Sequence, residues 1–362
     1  MDILSDILGL MKLTGTLYFR TSFTSPWGVT VPAFENVSRF HFAHQGRCYA
    51  HVDGVAEPVL LEQGDLVIIT RGAAHTLCCD IKNKTAKQLD QVVKESGFTG
   101  SGVLVYGEPG TDLETQLICG HFAFDPEARH PLMDALPPVI HIRNYGDVSH
   151  NWLESTLRVI GAEAGRGQLG GDLVAMKLTE IIFAQAVRTY LSNEGCNQIV
   201  FGGFANPNVR RALDAIHGDP ARSWTVESLA REAGLSRTSF AALFGELMAV
   251  TPLQYITGWR MQLARRLLID TSVPMIEVAE KSGYRSEAAF GRVFKKHFNV
   301  PPAEYRRLKP TGDAGNRTRL QDAEAQNSKD SGTPTRVPGK IANTWRKVRG
   351  QLLTDTNTTR SN

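Results

Sequence analysis

LAREAGLSRTSFAALF (229–244) and VAEKSGYRSEAAFGRVF (278–294) are two copies of one pattern, and their alignment decides how the C-terminal part of this 362-residue chain folds. Ala230 falls on Ala279 and Gly234 on Gly283 at an offset of 49, whereas Ser236, Phe240, Phe244, Pro252 and Tyr255 fall on Ser286, Phe290, Phe294, Pro302 and Tyr305 at an offset of 50. One extra residue therefore sits in the second turn. Each copy reads as helix, tight turn, helix, with Ala on a packing face, Gly where the backbone needs positive φ, and Ser capping the next helix. Phe240, Leu243 and Phe244, like Phe290, Val293 and Phe294, face inward and leave the opposite side of each second helix exposed. The result is a double helix-turn-helix, which points to double-stranded DNA as partner.

The exposed faces supply the candidate DNA-binding residues: Arg237, Thr238, Ser239 and Ala242 in the first copy, and Ser286, Glu287, Gly291, Arg292, Lys295 and Lys296 in the second. A recognition helix needs short residues near the groove floor, a polar or Arg side chain for base edges, and Lys or Arg at its margins for phosphate. The second copy has all three. Arg292 projects from mid-helix and suits base readout; Lys295 and Lys296, one turn later, suit phosphate. A solvated charged face is the plain alternative. Between the copies, 253–269 (LQYITGWRMQLARRLLI) reads as one stiff helix that would hold the recognition helices about one DNA turn (~34 Å) apart.

Charge is distributed in the same sense. The whole chain carries +3, too little by itself to signal nucleic acid, but residues 1–206 carry 15 basic and 22 acidic side chains and residues 207–308 carry 15 and 10. Residues 309–362, with 10 basic and 5 acidic groups and few large apolar ones, read as a disordered polar tail. No apolar run is long enough to span a bilayer and no signal peptide opens the chain, so a cytoplasmic protein is expected. The five cysteines (Cys48, Cys78, Cys79, Cys119, Cys196) show no CxxC spacing. Walker, dinucleotide and Gly-x-Ser-x-Gly motifs are absent, and no enzymatic activity or cofactor is expected.

GYRSEAAFGRVFKKHFNVPPAEYRR (283–307) strongly resembles the DNA-binding domain of the AraC/XylS family of bacterial transcription regulators. The resemblance covers about 207–308 and implies sequence-specific DNA binding, with RNA polymerase as a further partner of an activator. Asn299 stands where the family has Gly after the second recognition helix, a left-handed position that Asn tolerates. Ala241 and Ala242 replace polar base readers, which leaves discrimination mainly to the second unit.

Upstream, 1–12 reads as a short amphipathic helix, and short apolar segments at 29–31, 48–52, 59–61, 66–70 and 139–142, separated by Gly, Pro and Asp turns, predict an all-β sandwich or barrel. The stretch 83–102 reads as a loop or short helix. FHFAHQGRCYAHVDG (40–54) and GDLVIITRGAAHTLCC (64–79) resemble a cupin-type barrel, and the resemblance covers roughly 1–195. Metal-binding cupins have an HxH pair; here His41 and His44 are three apart and no Glu stands at the expected spacing, so no metal is assigned. Arg20, His41, Tyr49 and His75 are candidates for lining an effector pocket.

Residues 149–192 predict a helical pair broken at 165–171. The second helix, 172–191, is apolar enough either to pack on the β domain or to pair with a second subunit. The expected organisation is thus multidomain α+β: a cupin-like barrel domain (1–148), a helical linker and dimerisation segment (149–206), an all-α double helix-turn-helix (207–308) and the tail (309–362). The expected function is a sequence-specific, homodimeric transcription regulator whose cupin-like domain senses a small effector or mediates dimerisation. A cupin metalloenzyme fused to a DNA-binding domain, suggested by the histidine-rich first motif, and a thiol sensor built on Cys78 and Cys79 are the alternatives; His75, Cys48 or Cys119 would be the ligands of a structural metal only.

Overall fold

A computed structural model describes residues 2–82, 86–100, 102–107, 114–143, 170–192 and 199–308. The first helix of the expected linker pair, Cys196 and the tail lie outside the described residues. The chain divides into two compact units at Asn206, each taken by itself below.

The first unit opens with α1 (Ile3–Leu10), then β1 (Thr14–Thr24), β2 (Gly28–Val31), β3 (Val37–Gln45), β4 (Cys48–Val52), β5 (Val59–Leu61), β6 (Leu66–Ile69), β7 (His75–Cys78) and β8 (Lys87–Gln88). α2 (Leu89–Glu95), β9 (Val103–Tyr106), β10 (Glu114–Ala123), α3 (Pro131–Asp134) and β11 (Val139–Ile142) complete the β region, and α4 (Gly171–Ser192) and α5 (Ile199–Ala205) follow. Two sheets form, with strand orders β11-β6-β3-β10-β1-β9 and β5-β4-β7-β2-β8. Pairing is antiparallel except for β1 with β9 and β2 with β8.

The expected barrel does not close. β5 has three residues and β8 two, too few backbone groups to stitch a seam to the larger sheet. The sheets instead lie face to face over a common apolar core that includes Phe19, Phe23 and Leu117 from the larger sheet and Val29, Ala50 and Leu77 from the smaller. Burying an aromatic such as Phe23 there stabilises the unit by roughly 1.5–3 kcal/mol.

The larger sheet also buries its outer face. Alternation along β3 and β10 turns Phe40, Phe42 and Phe122 away from the shared core, and Phe122 packs on Phe40 and on Phe183 of α4, with ring centroids 4.9 and 4.8 Å apart. Ile182, Phe183, Ala186 and Val187 are wholly buried. Of the two arrangements open to this apolar helix, packing on the β domain is thus observed. A second strip of α4 stays in solvent, where Leu173, Val174 and Ile181 are exposed.

The second unit comprises α6 (Pro207–Gly218), α7 (Val226–Ala233), α8 (Arg237–Met248), α9 (Pro252–Asp270), α10 (Met275–Lys281), α11 (Glu287–Phe298) and α12 (Pro302–Arg307). The sequence repeat is a structural repeat down to ring geometry. Phe240 and Phe244 lie 5.5 Å apart at 58°, and Phe290 and Phe294 lie 5.5 Å apart at 56°. Phe244 meets Tyr255 edge-on at 5.8 Å, and Phe294 meets Tyr305 edge-on at 5.4 Å. Each copy thereby packs its second helix against the helix that follows it.

The turns obey the local chemistry. Ser236 and Ser286 cap α8 and α11 by accepting hydrogen bonds from the backbone N–H of Ser239 and Ala289. Gly234 and Gly283 take left-handed backbone at φ 70° and 76°. The residues that end α8 and α11 are also left-handed, Ala249 at φ 57° and Asn299 at φ 61°. Asn tolerates this conformation, whereas Ala pays about 1–2 kcal/mol in the clash of its Cβ with the backbone.

Replacing exposed Ala249 by Gly removes that clash and restores some backbone entropy to the unfolded chain. The expected net gain is roughly 0.5–1 kcal/mol, read as a higher denaturant midpoint of the DNA-binding unit. An unchanged or lower midpoint would show that the Ala249 conformation carries no strain.

Candidate nucleic-acid interface and cupin interior

Helix α8 presents Arg237, Thr238, Ser239, Ala241 and Ala242 to solvent, and α11 presents Glu287, Ala288, Arg292, Lys295 and Lys296. With Phe290 and Phe294 buried, helical periodicity places Ala288, Arg292 and Lys295 on the opposite side of α11, with Lys296 and Gly291 flanking them. Gly291 is half-buried, and a Cβ there would meet nothing within 4 Å, so this part of the surface is open. Ser286 has a local role as N-cap, and the Ser236 hydroxyl donates to Ser239 Oγ at 2.8 Å.

Electrostatics separate the exposed face of α11 from that of α8. Arg210, Arg222, Arg266 and Lys281 are tied to Asp214, Glu232, Asp270 and Glu277 by ion pairs. Arg292, Lys295 and Lys296 have no ion pair among the described residues, so three uncompensated cations share one face of the helix. The corresponding positions of α8 are Ala242, Gly245 and Glu246, a neutral to acidic surface.

Helix α9 has 19 residues and is therefore about 28 Å long at ~1.5 Å per residue. Its Arg260 donates from Nε to the carbonyl of Pro220 and from Nη2 to that of Arg222, both at 2.7 Å, in the connection that leads into α7. The same guanidinium lies against the second copy, where a Cβ on Gly283 would come within 2.7 Å of its central carbon, and 5.8 Å from the Tyr284 ring. One side chain on the linking helix thus ties the first helix-turn-helix to the second. The sequence reading did not single it out, because its role depends on contacts about 40 residues upstream and 23 downstream.

In the first unit, the structure brings together two of the four candidate effector residues. His41 Nε2 lies 2.9 Å from His75 Nε2, His41 Nδ1 lies 3.1 Å from Cys119 Sγ, and His75 Nδ1 lies 3.0 Å from the carbonyl of Ala73. Arg20 and Tyr49 are not brought to them. Phe19 and Thr21 flank Arg20, and Cys48 and Ala50 flank Tyr49; all four flanking residues are buried, so strand alternation turns Arg20 and Tyr49 to the outer faces. Arg39, Cys119 and His121 occupy interior positions that the sequence reading left out of the lining.

The chain of contacts determines its own proton positions. A carbonyl only accepts, so His75 carries its proton on Nδ1 and donates to Ala73. Its Nε2 then accepts from His41 Nε2–H, which leaves His41 Nδ1 to accept from the Cys119 thiol. Burial keeps every member neutral: His41 is held well below the usual imidazole range, His75 is lowered to about 4, and Cys119 is pushed up to about 12.

Cys119 and His75 sit on opposite edges of one imidazole and do not converge on a common point, so this trio does not fit a shared metal ion. No group of three or more His, Cys, Asp or Glu among the described residues is disposed to hold one. Burial also raises the thiols of Cys48 and Cys78, the latter to about 11, which leaves them poor nucleophiles at neutral pH.

A cupin family model matches residues 2–192 and a helix-turn-helix domain model matches residues 229–308. A putative AraC-like transcription regulator of Streptomyces lividans is 34% identical over 85% of this chain and 98% of its own length. The HTH-type transcriptional regulator AlkR of Acinetobacter baylyi is 30% identical over 84% of this chain and 99% of its own. Among solved structures, the C-terminal domain of AraT, a response regulator from Geobacillus stearothermophilus, is 30% identical over 30% of this chain and 90% of that one, with a TM-score of 0.29. The fold and these relatives together define a DNA-binding transcription regulator with an N-terminal cupin domain. The chain belongs to the AraC-like family of transcription regulators.

The proton chain makes a spectroscopic prediction with a pH limb. At pH 7, nitrogen-15 NMR is expected to show the Nδ1–H tautomer for His75 and the Nε2–H tautomer for His41. The unfolded chain binds protons on these rings below about pH 6.5, whereas folded His75 does so only near 4. The unfolded state therefore gains protons first, and the cupin unit should lose stability as pH falls from about 6.5 towards 4. Reversed tautomers, or a cupin unit that becomes more stable over that interval, would contradict the relay.

Proposed function

We propose that this regulator reads its operator mainly through α11, with Arg292 on base edges and Lys295 and Lys296 on flanking phosphates, while α8 docks Arg237, Thr238, Ser239 and Ala242 in the neighbouring groove segment. Ser286 and Glu287 set the entry of α11, and Gly291 lets the helix approach closely. The observation that carries this reading is the set of three cations on one exposed face of α11 that have no ion pair among the described residues, where the equivalent positions of α8 carry no cation. The protein is read as non-enzymatic and cytoplasmic, with a small effector in the cupin interior near His41 and His75 shifting the chain between arrangements that differ in DNA affinity. In this reading 149–206 is the dimerisation segment. The solvent strip of Leu173, Val174 and Ile181 on α4 supports a homodimer, since an apolar helix face of this kind is stabilised when a second copy covers it. An activator of this kind would also contact RNA polymerase.

Selection of bound duplexes from a random DNA pool, followed by affinity against salt, tests the interface. Two recognition blocks about ten base pairs apart are expected. Arg292→Ala should cost about 1–3 kcal/mol and relax preference at one block, whereas Lys296→Ala should weaken all sequences alike and reduce the salt slope by about one. Equal loss of specificity in both variants would mean that α11 enters the groove in a different orientation.

A further inference from the structure

Arg39 lies on β3, two residues before His41 and on the same inward face, and only 4% of its surface is exposed. Its Nε is buried without a hydrogen-bond partner, and among the described residues no carboxylate neutralises it. Directly across the ladder stands His121 of β10, whose Nδ1 is likewise buried and unpartnered. Aromatic rings wall the pair: Phe34 lies 4.5 Å from the guanidinium carbon, Tyr18 lies 6.0 Å from it, and the Tyr18 and His121 rings are 5.0 Å apart. Burial keeps His41, His75 and His121 in their neutral forms and Cys119 protonated, so among the described residues this cluster holds one positive charge and no negative one. A buried charge without a counter-charge is strongly unfavourable, and a second unpartnered buried nitrogen on the cross-strand residue adds to the cost. Arg39 and His121 are thus arranged for a hydrogen-bonding anion that the described residues do not provide.

We infer that Arg39, with His121, Tyr18 and Phe34, anchors a small monocarboxylate between the two sheets, the carboxylate taking the Nε edge of the guanidinium and the apolar body lying along the aromatic walls. This rests on the reading of the cupin interior as an effector site and names the chemistry of that effector. A planar carboxylate matches the guanidinium fork. A phosphate would bring up to two charges to a site with one cation, and a neutral ligand would leave that cation uncompensated.

The test uses the full chain with benzoate and hexanoate as probes and benzamide and hexanamide as their neutral counterparts, read by thermal shift and calorimetry. Each acid is expected to raise the melting temperature and to bind at least about tenfold more tightly than its amide. Arg39→Met should abolish that preference. Without any probe, the same variant should melt at or above the wild-type temperature, because a buried unpaired charge has been replaced by a side chain of similar volume. Arg39→Lys should keep the charge but weaken the preference, since a point charge lacks the planar fork. The inference is overturned if neither acid is preferred over its amide, or if the preference survives Arg39→Met. Amides that bind as well as the acids would remove the anionic ligand and leave the effector reading standing. If no probe binds and Arg39→Met melts several degrees lower, Arg39 is a packing residue for Phe34 and the inference also fails.

Discussion

The guanidinium of Arg260 is the point on which the geometry of the DNA-binding unit turns. Recognition of successive groove segments requires two helices held at a fixed separation and rotation, and a helix of the length of α9 sets the separation. Rotation is a different matter, because each helix-turn-helix packs on α9 through its own aromatic cluster and could settle independently. Arg260 couples them by hydrogen-bonding the carbonyls of Pro220 and Arg222 in the first copy while filling the space left by Gly283 in the second. Burial lowers its affinity for the proton, yet the two 2.7 Å hydrogen bonds to carbonyl oxygens keep the cation solvated by the protein in place of water. This coupling gives the basic face of α11 a defined place relative to α8.

A second constraint shapes the cupin unit. The larger sheet is covered on both faces, by the smaller sheet on one side and by α4 on the other. Its two faces have opposite character at one end. The face under α4 carries Phe40, Phe42 and Phe122, and the interior face carries Arg39, His41, Cys119 and His121. Polar groups in a dry interior must be hydrogen-bonded to one another or supplied with a partner. The His75–His41–Cys119 relay satisfies the first condition, and Arg39 with His121 is left to the second. Polar groups satisfied within the chain and polar nitrogens without a partner among the described residues therefore alternate along the inner face of β3 and β10.

Parts of this were legible in the residues. The strands at 48–52, 59–61 and 139–142 form at those residues, since each is a short apolar run bounded by turn residues. The expected helix at the N-terminus is α1, and a short helix, α2, forms within 83–102. The two long central strands were harder to read. β1 buries Thr21 beside Phe19 and Phe23, which blurs its alternation, and β10 buries Leu117, Ile118 and Cys119 in succession because both of its faces are covered. His41 was named as a lining residue, but Arg39 on the same face was missed for a related reason. In SRFHFAH (38–44) the alternation of Arg and His with Phe reads as polar outside and apolar inside, and α4 reverses that sense by covering the Phe side. The barrel reading failed because the number of backbone groups at a sheet edge is not visible until the strands are paired.

What the sequence determined by itself was everything governed by contacts a few residues long or by exact repetition. Helix caps at Ser236 and Ser286, left-handed turns at Gly234, Gly283 and Asn299, and the paired Phe–Phe–Tyr clusters are local chemistry written twice, so a repeat in letters became a repeat in structure. Tertiary structure alone decided which face of β3 is interior, that His41 lies between His75 and Cys119, that Arg39 Nε and His121 Nδ1 are buried without a partner among the described residues, and that Arg260 joins two turns far apart in the chain. Those outcomes depend on which surfaces meet after the elements form, and a one-dimensional pattern records the periodicity of a face without recording what will cover it.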